Sequence, residues 1–308
     1  MRTTRTDLAM ESFENAGEST IPGVEVSHWE ENDVSFTQVR ITQTEASRML
    51  GKPKGSYLTL ESPLLRRREP EVRLAIASML AEELDRMLPP GDASRPVLVV
   101  GLGNRAITPD SLGPAVVDRT LVTRHVLQSP TMKDALRSVC AIAPGVLGVT
   151  GIESLDLVEA LVKFLSPRAI VCVDSLSARS AFRIGSAIQL TDTGIQPGAG
   201  VGNHRKALTE ASVGAPVISV GVPTVIYAAT LARDAFEWLS LQNGDLEDHD
   251  AALADMERTL LSGDIGEMIV TPREIDAIVQ DAAGIIASGI NRALQPNLSD
   301  AEIAAMMD

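Results

Sequence analysis

Four short apolar runs, separated by segments with helical periodicity, are the feature that most limits what this chain can fold into. The runs cover 96–101, 138–143, 169–173 and 217–222, and helical patterns lie between them at about 112–127 and 153–165. Apolar runs of this length are typical of strands buried on both faces, and strands that alternate with helices favour a parallel sheet. The sequence therefore predicts an α/β fold with a mostly parallel central sheet flanked by helices.

The segments around these runs add further elements to the prediction. Residues 24–41 contain two alternating stretches, which predict antiparallel strands in a small N-terminal β-containing extension. Apolar residues recur at helical spacing from 69 to 88, and Pro89 ends that helix. A second long helix is predicted to open at Pro272, because proline is well tolerated in a first helical turn.

These patterns also suggest an organisation into segments. The polar residues 1–22 have no clear period and are expected to form a leader that is disordered or orders late. Residues 23–308 are expected to form a single α/β domain. An acidic, weakly patterned stretch at about 240–265 is interpreted as an insertion in that domain.

The charge balance narrows the classes of partner. The chain has 27 basic and 41 acidic residues, a net charge of −14 at pH 7. This balance disfavours a broad phosphate-binding surface and an anionic membrane, so we expect no direct nucleic-acid partner and no membrane partner. Two cysteines, Cys140 and Cys172, are too few for a disulfide framework and fit a reducing cytoplasm. Four histidines without an HExxH motif give no support to a metal site, and no cofactor is expected.

Two aspartates follow apolar runs and are the sharpest candidates for chemistry. In open α/β sheets ligands bind outside the carboxyl ends of the strands. Asp110 follows the first run after a loop, and Asp174 directly follows the third. If these strands are neighbours, the two carboxylates can share a proton, one acting as base on a water and the other as acid on an amide. The open alternative is that Asp110 caps the helix near Ser111 and that Asp174 caps a loop.

A glycine pattern at the first run gives a weaker signal. Gly101, Gly103 and Ala106 match a dinucleotide-binding fingerprint, but that motif needs a helix to start at once. Pro109 instead predicts an extended loop at this point.

Longer motifs around these residues resemble the germination protease family. The matching segments are Val100–Asn104, Thr108–Pro114, Val122–His125, Ala143–Glu153, Asp174–Leu176, Ile188–Gly198, Gly200–Asn203, Gly221–Val225 and Met268–Glu274. The resemblance implies an endopeptidase, made as a self-cutting zymogen, that degrades small acid-soluble spore proteins during germination in the cytoplasm of the forespore or spore core. It also implies a homotetramer, a fold related to hydrogenase-maturation proteases (phosphorylase/hydrolase-like), and a catalytic pair at Asp110 and Asp174.

The start of the chain carries one more matching motif. The segment from Thr6 to Ala9 resembles the family's self-processing site, with the cut expected between Asp7 and Leu8. The family prefers an acidic residue before the cut, then an apolar residue, then alanine. An acidic residue needs a basic pocket, and arginine binds carboxylates bidentately. The candidates for that substrate-binding role lie beside the motif loops: Arg105, Arg124, Arg179 and Arg205.

Two other functions remain open at this stage. One is a metallopeptidase on the same scaffold, with Asp110, Asp174 and either His125 or His204 as metal ligands. The other is a non-enzymatic nucleotide-binding module that uses the Gly101 loop.

Overall fold

The computed structural model describes residues 6–17, 20–66, 69–90, 95–128, 136–196, 206–243 and 268–307, without the side chains from 236 to 243. These residues form a nine-stranded sheet. Its strands are β1 (Val24–Glu31), β2 (Val34–Ile41), β3 (Gly55–Glu61), β4 (Val97–Gly101), β5 (Val139–Ile142), β6 (Ala169–Ala178), β7 (Ala187–Thr191), β8 (Val217–Tyr227) and β9 (Ile269–Val270). Their order across the sheet is β1-β2-β3-β7-β8-β6-β4-β5, and β9 pairs with β8.

The sheet consists of a parallel half and an antiparallel half. The four apolar runs form β4, β5, β6 and β8, which pair in parallel and confirm the α/β class. In the other half, neighbouring strands in the order β1-β2-β3-β7 are antiparallel. Its last strand, β7, pairs antiparallel with β8 of the parallel half. The sheet is therefore mixed rather than mostly parallel, and the N-terminal strands continue it instead of forming a small extension. The strand that joins the halves, β7, carries Gln189 at its centre, so no unbroken apolar run predicts it.

The helices follow the predicted pattern with two differences. They are α1 (Ala9–Asn15), α2 (Thr44–Leu50), α3 (Pro70–Met87), α4 (Leu112–Val117), α5 (Leu147–Thr150), α6 (Ser154–Leu165), α7 (Glu210–Val213), α8 (Ala228–Asn243), α9 (Ile275–Leu294) and α10 (Asp300–Met307). The long final pattern begins at Ile275, three residues after Pro272. The helix expected over 112–127 ends at Val117, because the amides of Thr123 and Arg124 bond to the Val139 carbonyl and draw the chain along β5.

The sheet is covered on both faces, and its core lies in three apolar clusters. On one face α3, α4 and α9 pack on the sheet, with Leu80, Val99 and Ile286 among the buried residues. On the opposite face one cluster packs under α6 and another under α1 and α2. Between these two clusters β7 and β8 carry polar residues, so this face has a polar band between two apolar regions.

Residues 6–17 of the expected leader are described, and they contain helix α1, which the sequence did not predict. Ala9, Phe13 and Ala16 recur at spacings of four and three, and they place α1 against β2 and β3. Leu8 and Ala9 have no exposed surface. The division of the chain at residue 22 stays a prediction, and residues 244–265 of the acidic insertion expected at about 240–265 lie outside the described residues.

No helix in the part of the chain that the structure describes is long and apolar enough to span a bilayer.

Candidate active site

Three strands bring Asp174, Gly221 and Gln189 into one row. Asp174 of β6 is the register partner of Gly221 of β8, which is also the partner of Gln189 of β7. Residues paired in this way project to the same face of a sheet. A Cβ at Gly221 would lie 2.6 Å from the side chain of Leu176, so only glycine fits between the carboxylate and the amide.

This row lines a pocket in the polar band of the sheet. The pocket has a volume of about 140 Å³, room for several water molecules. Its polar lining includes Asp7, Lys52, Tyr57, Asp174, Gln189 and Ser219. The pocket therefore holds a carboxylate of the expected catalytic pair together with a residue of the leader.

Asp174 is buried within strand β6, with 5% of its surface exposed. Its Oδ1 accepts a hydrogen bond of 2.9 Å from the amide of Ser175. Burial raises the pKa of the neighbouring Cys172 thiol, and the charge of Asp174 raises it further. Asp174 does not cap a loop, because it lies inside a strand and faces the pocket.

Asp110 lies in the loop after β4, the strand next to that of Asp174. β4 and β6 are parallel neighbours, and Asp110 ends a short 3-10 turn that follows β4. Its Oδ2 accepts a hydrogen bond of 3.0 Å from the amide of Asn104. A Cβ at Gly103, where φ is +112°, would lie 2.0 Å from the Asp110 carbonyl oxygen, so glycine permits this close turn.

The turn that holds Asp110 is also tied to the rest of the sheet edge. The Thr224 hydroxyl on β8 donates to the carbonyl of Pro109 at 2.7 Å. Ser111 is the N-cap residue of α4, and its own side chain makes no cap hydrogen bond. Asp110 therefore follows the carboxyl end of β4, and Asp174 lies in β6 one residue beyond the last pair of β6 with β4.

The leader enters the pocket through Asp7. Its amide donates to the carbonyl of Ser177 at 2.9 Å, and the amide of Ser177 donates to Asp7 Oδ2 at 2.8 Å. Lys52, half-buried after α2, donates from Nζ to the carbonyl of Thr6 at 2.9 Å. Burial lowers the pKa of Lys52, and the carboxylates of Asp7 and Glu11 oppose that shift. Lys52 is thus a cation beside Asp7 that the sequence did not predict.

The side chain of Gln189 spans the peptide on both sides of Leu8. Its Oε1 accepts from the amide of Ala9 at 2.8 Å, and its Nε2 donates to the carbonyl of Asp7 at 3.2 Å. Only one orientation of the amide satisfies both partners, because the Ala9 N–H requires an oxygen. The sequence contains no local signal for this contact, which joins residues 180 positions apart.

Glu11 anchors the following helix. It has no exposed surface and accepts hydrogen bonds from the amides of Arg179 at 2.6 Å and Ser180 at 3.0 Å. The guanidinium of Arg183 pairs with Glu11 at 3.1 Å and with Glu14 at 2.8 Å. Glu11 and its partners therefore hold α1 to the chain segment that follows β6.

The predicted arginines occupy different surroundings. Arg105 pairs with Asp118 at the surface, and Arg124 lies over the ring of Phe164 at 5.9 Å from its centroid. The Arg179 side chain pairs with Asp234 at 3.7 Å. Arg205 lies outside the described residues. Their role in substrate binding stays a prediction.

The metallopeptidase alternative depends on His125 or His204 as a metal ligand. His125 is exposed, and His204 lies outside the described part of the chain. The residues that are described contain no group of three or more histidine, cysteine, aspartate or glutamate side chains arranged to hold a metal ion.

Comparisons with known proteins identify the class and the family. A family model described as germination protease matches residues 4–258. Curated germination proteases are similar over almost the full chain: 38% identity in Caldanaerobacter subterraneus subsp. tengcongensis, covering 98% of both chains, and 40% in Clostridium acetobutylicum, with the same coverage. The relative in Priestia megaterium is 35% identical over 98% of this chain and 96% of its own. These matches define the protein as a peptidase. It belongs to the germination protease family.

One solved structure also matches the fold at low similarity. The hydrogenase maturation protease HycI from Thermococcus kodakarensis aligns with a TM-score of 0.33 and 15% identity, over 68% of this chain and 98% of that chain. Kinship with hydrogenase-maturation proteases remains an expectation at this level.

Proposed function

We propose that this chain is an endopeptidase precursor that activates itself by cutting the Asp7–Leu8 bond, with Asp110 and Asp174 activating the attacking water. The observation that carries the proposal is the position of Asp7 in the same pocket as Asp174. A segment that bonds to strand β6 through its backbone has the extended geometry in which peptides bind beside strands. The leader therefore occupies its own site as a substrate does.

The two aspartates divide the chemistry between them. In this proposal the two carboxylates meet in the active enzyme and share one proton, because two carboxylates held close together do not both ionise readily. The ionised carboxylate takes a proton from water as the water oxygen bonds to the Asp7 carbonyl carbon. The protonated carboxyl gives its proton to the Leu8 nitrogen as the carbon–nitrogen bond breaks. The products are a carboxylate at Asp7 and an amine at Leu8.

The surroundings of the leader support the proposed preference for an acidic residue, an apolar residue and alanine. The Asp7 carboxylate meets the Ser177 amide and the charge of Lys52. Leu8 and Ala9 are fully buried, which favours an apolar side chain followed by a small one. Once the first seven residues are released and the new N-terminus at Leu8 has left its subsite, small acid-soluble spore proteins bind there as substrates during germination.

The remaining parts of the proposal follow from the family. We assign substrate contacts beyond these subsites to Arg105, Arg124, Arg179 and Arg205. The enzyme acts as a homotetramer in the cytoplasm of the forespore or spore core.

The test is the mass of the purified protein during incubation under mildly acidic, low-hydration conditions. We expect loss of the first seven residues at a rate that does not depend on protein concentration, because the bond lies in the pocket of its own chain. A rate that rises in proportion to concentration would show cutting between chains and contradict the arrangement. The processed enzyme should then cut a synthetic peptide of residues 4–13 between Asp7 and Leu8, and a matched peptide with Asp7→Lys should resist.

A further inference from the structure

We propose that Gln189 holds the bond to be cut and stabilises the negative charge that forms on its carbonyl oxygen. This inference rests on the proposed function, since it takes the Asp7–Leu8 bond as the one that is broken. It adds a neutral side chain of β7 to a site that the sequence assigned to two aspartates.

The first argument is geometric. Gln189 donates to the carbonyl oxygen of Asp7 at 3.2 Å and accepts from the amide of Ala9 at 2.8 Å. One side chain thus binds the main chain at the Asp7 carbonyl, which belongs to the bond that is cut, and at the Ala9 amide, on the other side of Leu8. Because both contacts are to the backbone, they serve any substrate sequence that enters the site.

The second argument is the position of Gln189 relative to Asp174. Both side chains project from the same row of the sheet, on either side of Gly221, and both line the pocket. Gln189 is 6% exposed, so its hydrogen bonds form in a site with little competing water. Strand β8 pairs with both β6 and β7 and fixes this spacing, so the donor is in place before the reaction begins.

The third argument is chemical. When the water oxygen bonds to the Asp7 carbonyl carbon, the electron pair of the C=O double bond moves to the oxygen, which gains negative charge. The hydrogen bond from Gln189 Nε2 to that oxygen becomes stronger, because its acceptor is then charged. The pair returns when the carbon–nitrogen bond breaks and the Leu8 nitrogen takes a proton from the carboxyl. Gln189 transfers no proton and stays neutral throughout.

The test compares self-processing rates of the full-length protein. Gln189→Met has nearly the same size and removes both hydrogen bonds. The matched control is Gln38→Met, on the opposite face of the sheet, where the glutamine donates to the Ser56 hydroxyl at 3.1 Å. Gln189→Asn is the second variant, because its amide is one methylene too short to reach both partners. Thermal unfolding confirms that each variant folds.

We expect both Gln189 variants to process about a hundredfold more slowly than wild type, which is the usual cost of losing one oxyanion donor. Hydrogen exchange over residues 8–16 should stay slow, since α1 remains anchored by Glu11. Gln38→Met should process normally.

Two results would overturn the inference. A wild-type rate in both Gln189 variants, with Asp174→Asn inactive, would remove Gln189 and leave the proposed function intact. Fast hydrogen exchange over residues 8–16 in these variants would show that Gln189 only holds the leader in place and does not stabilise charge on the Asp7 carbonyl oxygen. Normal processing by Asp174→Asn would instead overturn the proposed function itself.

Discussion

Asp7 and Ser177 bond to each other in both directions, amide to carbonyl at 2.9 Å and amide to carboxylate at 2.8 Å. In the second of these bonds the backbone amide of Ser177 recognises the acidic side chain of Asp7. Only proline at position 177 would remove that amide. A backbone amide that bonds to a charged carboxylate is among the stronger hydrogen bonds in proteins. This contact gives a physical reason for an acidic residue before the cut.

Asp7→Ala should therefore slow self-processing by about ten- to a hundredfold, the equivalent of a hydrogen bond to a charged group. The substitution also removes the Asp7 carboxylate, one of the two charges that raise the pKa of Lys52 against the effect of burial. The protonated form of Lys52 is therefore less stable in this variant. Intact mass spectrometry over time measures the rate. Asp85→Ala is the control, since Asp85 pairs with Arg137 at the surface at 3.6 Å. Processing of Asp7→Ala at the wild-type rate would contradict this role.

Glu11→Ala should lower the free energy of unfolding by about 3–5 kcal/mol, because it removes a fully buried carboxylate, leaves two amides without their acceptor and takes one of three carboxylates from Arg183. Glu14→Ala is the matched control on the same helix. Its carboxylate pairs with the same Arg183, but its side chain is 43% exposed, so the loss should stay below about 1 kcal/mol. Urea unfolding of both variants measures the difference, and equal losses would argue against a buried anchor.

Tyr57 gives a pH dependence with a defined sign. Burial raises the pKa of Tyr57 to about 12, against about 10 in an unfolded chain. The folded state therefore holds this proton more tightly, and the stabilisation is fully present below about pH 10 and is lost as the pH rises towards 12. Unfolding free energies across this alkaline range should fall by roughly 2–3 kcal/mol more in wild type than in Tyr57→Phe. An unchanged slope in Tyr57→Phe would contradict the shift.

The four apolar runs predicted the parallel half of the sheet because strands buried on both faces need continuous apolar sequence. The sequence did not predict β7, the strand that joins the halves, because Gln189 interrupts its apolar pattern. Gln189 is polar because its side chain binds the leader in the candidate site. Helix α1 in the leader was also not predicted from the sequence. The partners of Glu11 lie near residue 180, and local periodicity carries no information about such long-range contacts.

The candidate site could be predicted in part for a similar reason. Asp110 and Asp174 follow from a rule about strand ends, and the structure pairs β4, the strand before Asp110, with β6, the strand that contains Asp174. Lys52 and Gln189 reach the site only through tertiary packing, from a loop and a strand without recognisable motifs. The four arginines are predicted from their proximity in sequence to the motif loops, and their role in substrate binding stays a prediction.

Exhaustive chelation should leave cleavage of the residue 4–13 peptide unchanged, because two aspartates that share a proton activate water without a Lewis acid. The processed enzyme is dialysed against chelator and assayed against an untreated sample. Activity that is lost and then restored by zinc would favour the metallopeptidase instead.

The most direct measurement is the mass of purified Asp110→Asn and Asp174→Asn during incubation under the conditions that process wild type. Each substitution removes one carboxylate of a pair that works as a unit, so each rate should fall by at least about a thousandfold while thermal unfolding stays normal. Glu14→Ala, which changes a carboxylate on the leader helix away from the pocket lining, should still lose its first seven residues. Wild-type processing by either asparagine variant would contradict the account.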